Sequence, residues 1–216
     1  MTEGRRHDLV AAAARLFAAG VMSHSGHGNL SARLAGDRLL LGSTGSAAGL
    51  DPDDLAVVGF DGLEVEGRLA PSTREIVGMH AVVYRERPDV GAVIHTHSPC
   101  LTAFAVAGRA LPCRYEALLR FGQAEEVPVV PWAPRGSPAS VEGIAAVLQA
   151  RPRTRAVLLA NHGLLAFEAD AGGAAGLVVA LEEGAEAEWR AVALGGSRPF
   201  PAGALEAVRA SMAAAR

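Results

Sequence analysis

The run Asp89-Val90-Gly91-Ala92-Val93-Ile94-His95-Thr96-His97-Ser98-Pro99 constrains this chain more than any other stretch. Val90, Val93 and Ile94 are β-branched residues in a short apolar run, which predicts a buried strand over Val90–His97. Successive strand side chains point to opposite faces, so His95 and His97 share one. Ser98-Pro99 breaks the strand directly afterwards and leaves both imidazoles at its mouth. A lone histidine there would be an ordinary polar residue at a strand end. A His-x-His pair is half of a metal site, and it directs the search toward a third nitrogen ligand and an acid or base elsewhere.

Periodicity and turn residues supply the rest of the fold class. Leu9, Val10, Ala13, Leu16 and Phe17 recur at helical spacing and predict a first helix over His7–Ala19, ended by Gly20. Leu30–Leu34 and Arg38–Leu41 read as strands joined by the turn Ala35-Gly36-Asp37. Leu55–Phe60 is a further strand, turned by Asp61-Gly62 into Leu63-Glu64-Val65. A helix is expected from Pro71 to about Arg87, stopping before Pro88, and another from Ser98-Pro99 to about Val106. Glu126–Val130 is a strand, and Ser137–Gln149 a helix with Ser137 as cap and Pro138 in its first turn. Arg155–Ala160 and Leu164–Phe167 are strands flanking Asn161-His162-Gly163. Asp170 caps a long helix to about Leu194, and a short helix follows Pro201. With 216 residues and no long linker or repeat, one α/β domain over residues 1–216 is expected, mixing antiparallel strands with flanking helices.

Composition excludes several classes. Half the residues are hydrophobic and 20% charged, as in ordinary globular proteins rather than disordered ones. A formal charge of −3 without a Lys/Arg run gives no reason to expect nucleic acid or an anionic membrane surface. The opening Met-Thr-Glu-Gly-Arg-Arg-His-Asp is too polar for a signal peptide, and no apolar run spans a bilayer. Cys100 and Cys113 have no metal-ligand spacing, so reduced thiols and a cytoplasmic location are the expectation.

Of the seven histidines, His162 stands out, because Asn161-His162-Gly163 interrupts two apolar strands as a kink that can aim a side chain into a cleft. The flanking glycine is expected to permit the unusual backbone angle. His95, His97 and His162 make three neutral imidazoles, a ligand set typical of catalytic zinc with an open position. His24 and His27 form a rival pair whose loop spacing suits phosphate-loop donors better. Glu75 is the candidate acid/base. Spacing alone favours a plainer role, since Ser72-Thr73-Arg74-Glu75 has the form of a Ser-x-x-Glu capping box. The small polar loops around Gly28-Asn29 and Thr44-Gly45, with Ser72 and Thr73 at a helix start, can offer N–H and hydroxyl groups to a phosphate. None is a nucleotide-binding fingerprint.

Gly28-Asn29-Leu30-Ser31, Ser43-Thr44-Gly45, Pro71-Ser72-Thr73 with Glu75, His95-Thr96-His97-Ser98 and Asn161-His162-Gly163 stand in the order found in the class II aldolase/adducin family, which most of the chain resembles. The resemblance implies a single-domain αβα sandwich, with a central mainly antiparallel sheet, assembled as a homotetramer with active sites at subunit interfaces. It implies Zn2+, or another divalent ion such as Mn2+ or Co2+, on His95, His97 and His162. Asn29, Thr44, Gly45, Ser72 and Thr73 would hold a substrate phosphate. Glu75 would transfer the proton at carbon, and Tyr115 of a neighbouring subunit would serve the aldehyde oxygen. The implied reaction is reversible cleavage of a phosphorylated ketose, of the fuculose 1-phosphate kind, to dihydroxyacetone phosphate and an aldehyde. Sibling chemistries are pentulose-phosphate epimerisation, methylthioribulose-phosphate dehydration and sugar-acid phosphate decarboxylation. A non-catalytic adducin-like module is the rival of a different class, and the three histidines argue against it. Ser72-Thr73-Arg74-Glu75 is longer than the family's usual Ser-Ser-Glu, the segment after Pro112 is shifted by about a residue, and no tyrosine follows Tyr115.

Overall fold

The strands are β1 (Gly28–Leu34), β2 (Arg38–Gly42), β3 (Leu55–Gly59), β4 (Glu64–Glu66), β5 (Ala92–Thr96), β6 (Val129–Val130), β7 (Ala156–Leu159) and β8 (Gly163–Glu168) in the computed structural model, which describes residues 2–214. Met1, Ala215 and Arg216, part of the expected domain, lie outside the described residues. The helices are α1 (Thr2–Ala18), α2 (Pro71–Arg74), α3 (Val77–Glu86), α4 (Pro99–Val106), α5 (Glu116–Arg120), α6 (Pro138–Ala150), α7 (Ala171–Val192) and α8 (Ala204–Ala214).

All eight strands form one sheet in the order β4-β3-β2-β1-β5-β8-β7-β6. The β1–β2 hairpin closes where Gly36 and Asp37 take positive φ, as the turn residues foretell. Every pairing is antiparallel except β6 with β7. β5 lies between β1 and β8, with Asn29 and Leu165 flanking His95 in register. The central strand is therefore buried on both faces, which its continuous apolar run requires.

Alternation divides the core in two. Leu30, Ile94, Leu164 and Ala166 face α1, α4 and α7, meeting Leu9, Leu16, Leu101 and Leu177. Val93, Leu165 and Phe167 face α3 and α6, meeting Val83, Tyr84, Ile144 and Leu148. This is the expected αβα arrangement. The Ser137 and Asp170 side chains cap α6 and α7 as anticipated, accepting from Ser140 N–H and Gly173 N–H. No helix among the described residues is long and apolar enough to cross a membrane.

Several expectations change, among them the strand over Glu126–Val130, which shortens to β6 at Val129–Val130. The helix from Pro71 is broken at Glu75-Ile76, where Ile76 N–H bonds back to Thr73 O at 3.1 Å and tightens the turn. β5 ends at Thr96, so His97 lies just past the ladder. β1 begins at Gly28, which puts Asn29 in a strand rather than a loop. The short helix α5 is absent from the sequence reading, because five residues are too few to show a period.

Candidate active site

His95, His97 and His162 bring one nitrogen each to within 4.8 Å of the others. His95 is held by the sheet itself: its Nδ1–H donates to the Leu164 carbonyl of the neighbouring strand at 2.8 Å. That bond fixes the tautomer and leaves Nε2 bare, the arrangement typical of a metal-ligating imidazole. His97 Nε2 lies 3.1 Å from His95 Nε2, even though His97 is beyond the strand end. His162 closes the set, its ring centroid 4.7 Å from that of His95 and 5.0 Å from that of His97.

The kink that aims His162 works differently from the expectation. The residue with positive φ is Asn161, at +56°, an asparagine tolerating the left-handed region. Gly163 serves close approach instead. A Cβ there would lie 2.5 Å from Thr96 O and 2.9 Å from His97 Cδ2, so only glycine lets β8 and the His97 segment meet.

Burial pushes all three imidazoles toward the neutral form. His95 is held well below the ordinary value, His97 is lowered, and His162 is pushed down to about 4. Desolvation is the first cause in each; His162 and His97 lower His95 further, His97 and Arg135 lower His162, and His27 and Arg135 lower His97. Neutral lone pairs converging on one point, in a set with no carboxylate, fit a divalent transition metal with an open position.

Glu75 does not close a capping box. The residue before α2 is Ala70 and no side chain caps it, while the Glu75 carboxylate sits 3.1 Å from Arg135. Both line a cleft of about 230 Å³ with Met79, Trp132, Asn161 and His162. Gly136, at φ +74°, packs directly on Glu75, where a Cβ would be 2.8 Å from the Glu75 Cβ. Arg135 was not singled out from sequence. Its only signal is a cation in the Pro-Arg-Gly turn before α6.

The polar loops gather beside the histidines through backbone bonds. Gly28 N–H donates to Gly45 O at 3.3 Å, and Ala70 N–H to Ser43 O at 2.9 Å, which ties the Thr44-Gly45 loop to both Asn29 and the Ser72-Thr73 turn. Ser72 and Thr44 are exposed; Thr73 is buried with its Oγ1 unpartnered. His27 pairs with Ser46 as a bridge and its ring lies 6.4 Å from that of His97, so it belongs to the loop side rather than to the nitrogen cluster. Tyr115 is not brought to the cleft by its own chain. It precedes α5, and its hydroxyl donates to Glu183 of α7 at 3.1 Å, a bond that raises its pKa.

The profile of the Class II Aldolase and Adducin N-terminal domain matches residues 8–189. The chain belongs to this family. A 5-methylthioribulose-1-phosphate/5-deoxyribulose-1-phosphate aldolase of Rhodospirillum rubrum is 34% identical over 204 residues, covering 94% of this chain and 88% of the relative. A 3-oxo-tetronate 4-phosphate decarboxylase of Haemophilus influenzae is 32% identical over 194 residues, covering 86% and 88%. Among solved structures, an L-fuculose 1-phosphate aldolase superposes with a TM-score of 0.83 at 25% identity, covering 97% of this chain and 96% of that one. The class II aldolase family member described here is accordingly an enzyme, a metal-dependent lyase by kind.

Proposed function

We propose that this class II aldolase homologue is a zinc-dependent aldolase that reversibly cleaves a ketose 1-phosphate to dihydroxyacetone phosphate and an aldehyde. The observation that carries the reading is the convergence of three neutral imidazoles, His95, His97 and His162, next to three polar segments tied by backbone bonds, Gly28-Asn29, Thr44-Gly45 and Ser72-Thr73. Zinc is the proposed ion, and Mn2+ or Co2+ are chemically compatible with the same donors. When bound, the ion supplies Lewis-acid stabilisation for the negative charge that develops on the ketose oxygens.

The protein groups have separate tasks. Asn29, Thr44, Gly45, Ser72 and Thr73 grip the phosphate and so position the carbonyl carbon relative to the histidines. The buried, unpartnered Thr73 Oγ1 supports a role for that hydroxyl toward a ligand, since an orphan of this kind costs about 1–3 kcal/mol in the free protein. In the cleavage direction the bond between C3 and C4 breaks, its electron pair stays with C3, and the C4 hydroxyl loses its proton as the aldehyde forms. Glu75 delivers a proton to C3, and Arg135 holds the carboxylate in place. Tyr115 of a neighbouring subunit relays the C4 hydroxyl proton, releasing its own phenolic proton to solvent as it takes the substrate's, in a homotetramer with interfacial sites.

The 34% identity to the Rhodospirillum enzyme favours a pentulose 1-phosphate with an apolar 5-deoxy or 5-methylthio end over fuculose 1-phosphate. The Haemophilus relative supports a second reading, decarboxylation of a 3-oxo sugar-acid phosphate, in which carbon dioxide leaves in place of an aldehyde. A cytoplasmic location is part of the proposal, in keeping with two free cysteines. Incubation of the zinc-loaded protein with 5-deoxyribulose 1-phosphate, fuculose 1-phosphate, a pentulose 5-phosphate and a 3-oxo-tetronate 4-phosphate tests it. Triose phosphate release from a 1-phosphate is expected. Carbon dioxide release alone establishes the second reading, and absence of both metal and turnover points to an adducin-like module.

A further inference from the structure

Beneath the proposed phosphate subsite lies a buried polar chain that the reaction does not use. His80 is fully buried on α3 and touches two side chains of β1, Asn29 and Ser31, which alternation puts on the same sheet face. His80 Nε2 lies 2.5 Å from Asn29 Oδ1, and His80 Nδ1 lies 2.7 Å from Ser31 Oγ. Ser31 Oγ is in turn 2.7 Å from the Tyr84 hydroxyl.

The direction of every bond follows from the first. A nitrogen facing a carbonyl oxygen must carry the hydrogen, so Nε2–H donates to Asn29. A neutral imidazole then has only an acceptor at Nδ1, so the Ser31 hydroxyl donates to it. Ser31 Oγ is left to accept from Tyr84 O–H. Burial keeps His80 neutral, pushing it down to about 3. The far end is anchored: Tyr84 stacks on Phe60 with centroids 5.7 Å apart, and the Arg33 guanidinium lies 5.0 Å above its ring. Asn29 Nδ2 has no protein partner among the described residues and is not among their buried unpartnered atoms, so it remains open to a ligand.

We propose that Tyr84, Ser31 and His80 form a positioning relay that locks the Asn29 amide in one orientation, carbonyl inward and NH2 outward, so that the site presents donors to a phosphate. Without the relay the amide is free to flip and present its oxygen, which repels an anion. The inference rests on the reading of Asn29 as a phosphate ligand and adds three residues that never touch the substrate.

Calorimetric titration of the zinc-loaded protein with inorganic phosphate tests it, on the wild type and on His80→Phe, His80→Gln, Asn29→Ala and His80→Phe/Asn29→Ala. His80→Phe is expected to weaken phosphate about tenfold or more, the scale of a lost hydrogen bond to a charged group, with zinc content unchanged. His80→Gln, which keeps a donor toward Asn29 and an acceptor toward Ser31, should hold within about threefold of the wild type. The double variant should be no weaker than Asn29→Ala, because the relay acts only through that amide. Ser31→Ala and Tyr84→Phe carry the same test if His80→Phe does not fold, and both should weaken phosphate. Loss of phosphate binding in Asn29→Ala with none in His80→Phe, or in the two milder variants, overturns the relay alone. Unchanged phosphate binding in Asn29→Ala overturns the phosphate reading of Asn29 and the relay with it.

Discussion

Glu75 shows how little a single residue reveals without its neighbours. As a sequence position it has the form of a capping residue; in the fold its carboxylate meets Arg135 at the edge of the His162 cleft. Glu75→Gln keeps the shape and removes the proton, so kcat should fall by about 10²–10⁴, with metal content and phosphate affinity retained. Steady-state kinetics beside metal analysis checks this. His95 was legible from its strand, but the Leu164 carbonyl that fixes its tautomer comes from a residue 69 positions away. His95→Ala is expected to leave less than stoichiometric zinc and no turnover, measured by elemental analysis of the purified protein and by assay. A variant with full metal and full rate would sink the ligand assignment.

At the scale of elements, the site depends on where strands and helices end. Gly163 allows β8 to press against Thr96 and His97. Gly163→Ala must push the strands apart or distort the ligand set. It should cost about 1–3 kcal/mol, the range for overpacking, and weaken zinc in a chelator competition. The start of α4 is held from a distance: the buried Glu182 of α7 accepts from Cys100 N–H at 2.7 Å and Leu101 N–H at 3.0 Å. A carboxylate at a helix N-terminus is favoured by the helix dipole. This one steadies the turn that directly follows His97. Glu182→Ala leaves two N–H groups near the core with lost partners, and should lower stability by about 2–3 kcal/mol in urea unfolding. Here sequence reading was sound for α4 itself and blind to its cap, since a cap supplied by another helix leaves no local pattern.

For the whole molecule, buried neutral histidines set the response to acid. His80 has a folded pKa of about 3 against 6.5 when exposed. Between those values the unfolded chain binds a proton that the native chain refuses, so stability is full above pH 6.5 and is lost as pH falls toward 3. The slope is about 1.4 kcal/mol per pH unit for one such group. Asp89, lowered mainly by its bond to Arg87, loses its contribution below the usual carboxylate range and extends the decline. Urea midpoints between pH 7.5 and 4.5 should fall in the wild type and fall less in His80→Gln. An equal decline in both would show that His80 is charged in the folded protein. A divalent ion bound by the three histidines would strengthen the same trend, because such ligands must be neutral to bind it.

Local chemistry in the sequence determined the strands and most helices, the glycine turns, the Ser137 and Asp170 caps, and the two histidines on one short segment. Those features are set by side-chain alternation, helical period and nearest-neighbour hydrogen bonding, all of which act over a few residues. Tertiary structure decided that Glu75 leaves its helix to meet Arg135, that Asn161 rather than Gly163 takes the left-handed turn, and that His80 lies under Asn29. The first and last join residues far apart in the chain, the second frees Gly163 to meet Thr96 and His97, and the energy that selects them comes from burial and packing between elements. His95-Thr96-His97 suggests a metal site from one short segment, but His162 and Asn29 come beside it only once β1, β5 and β8 lie side by side.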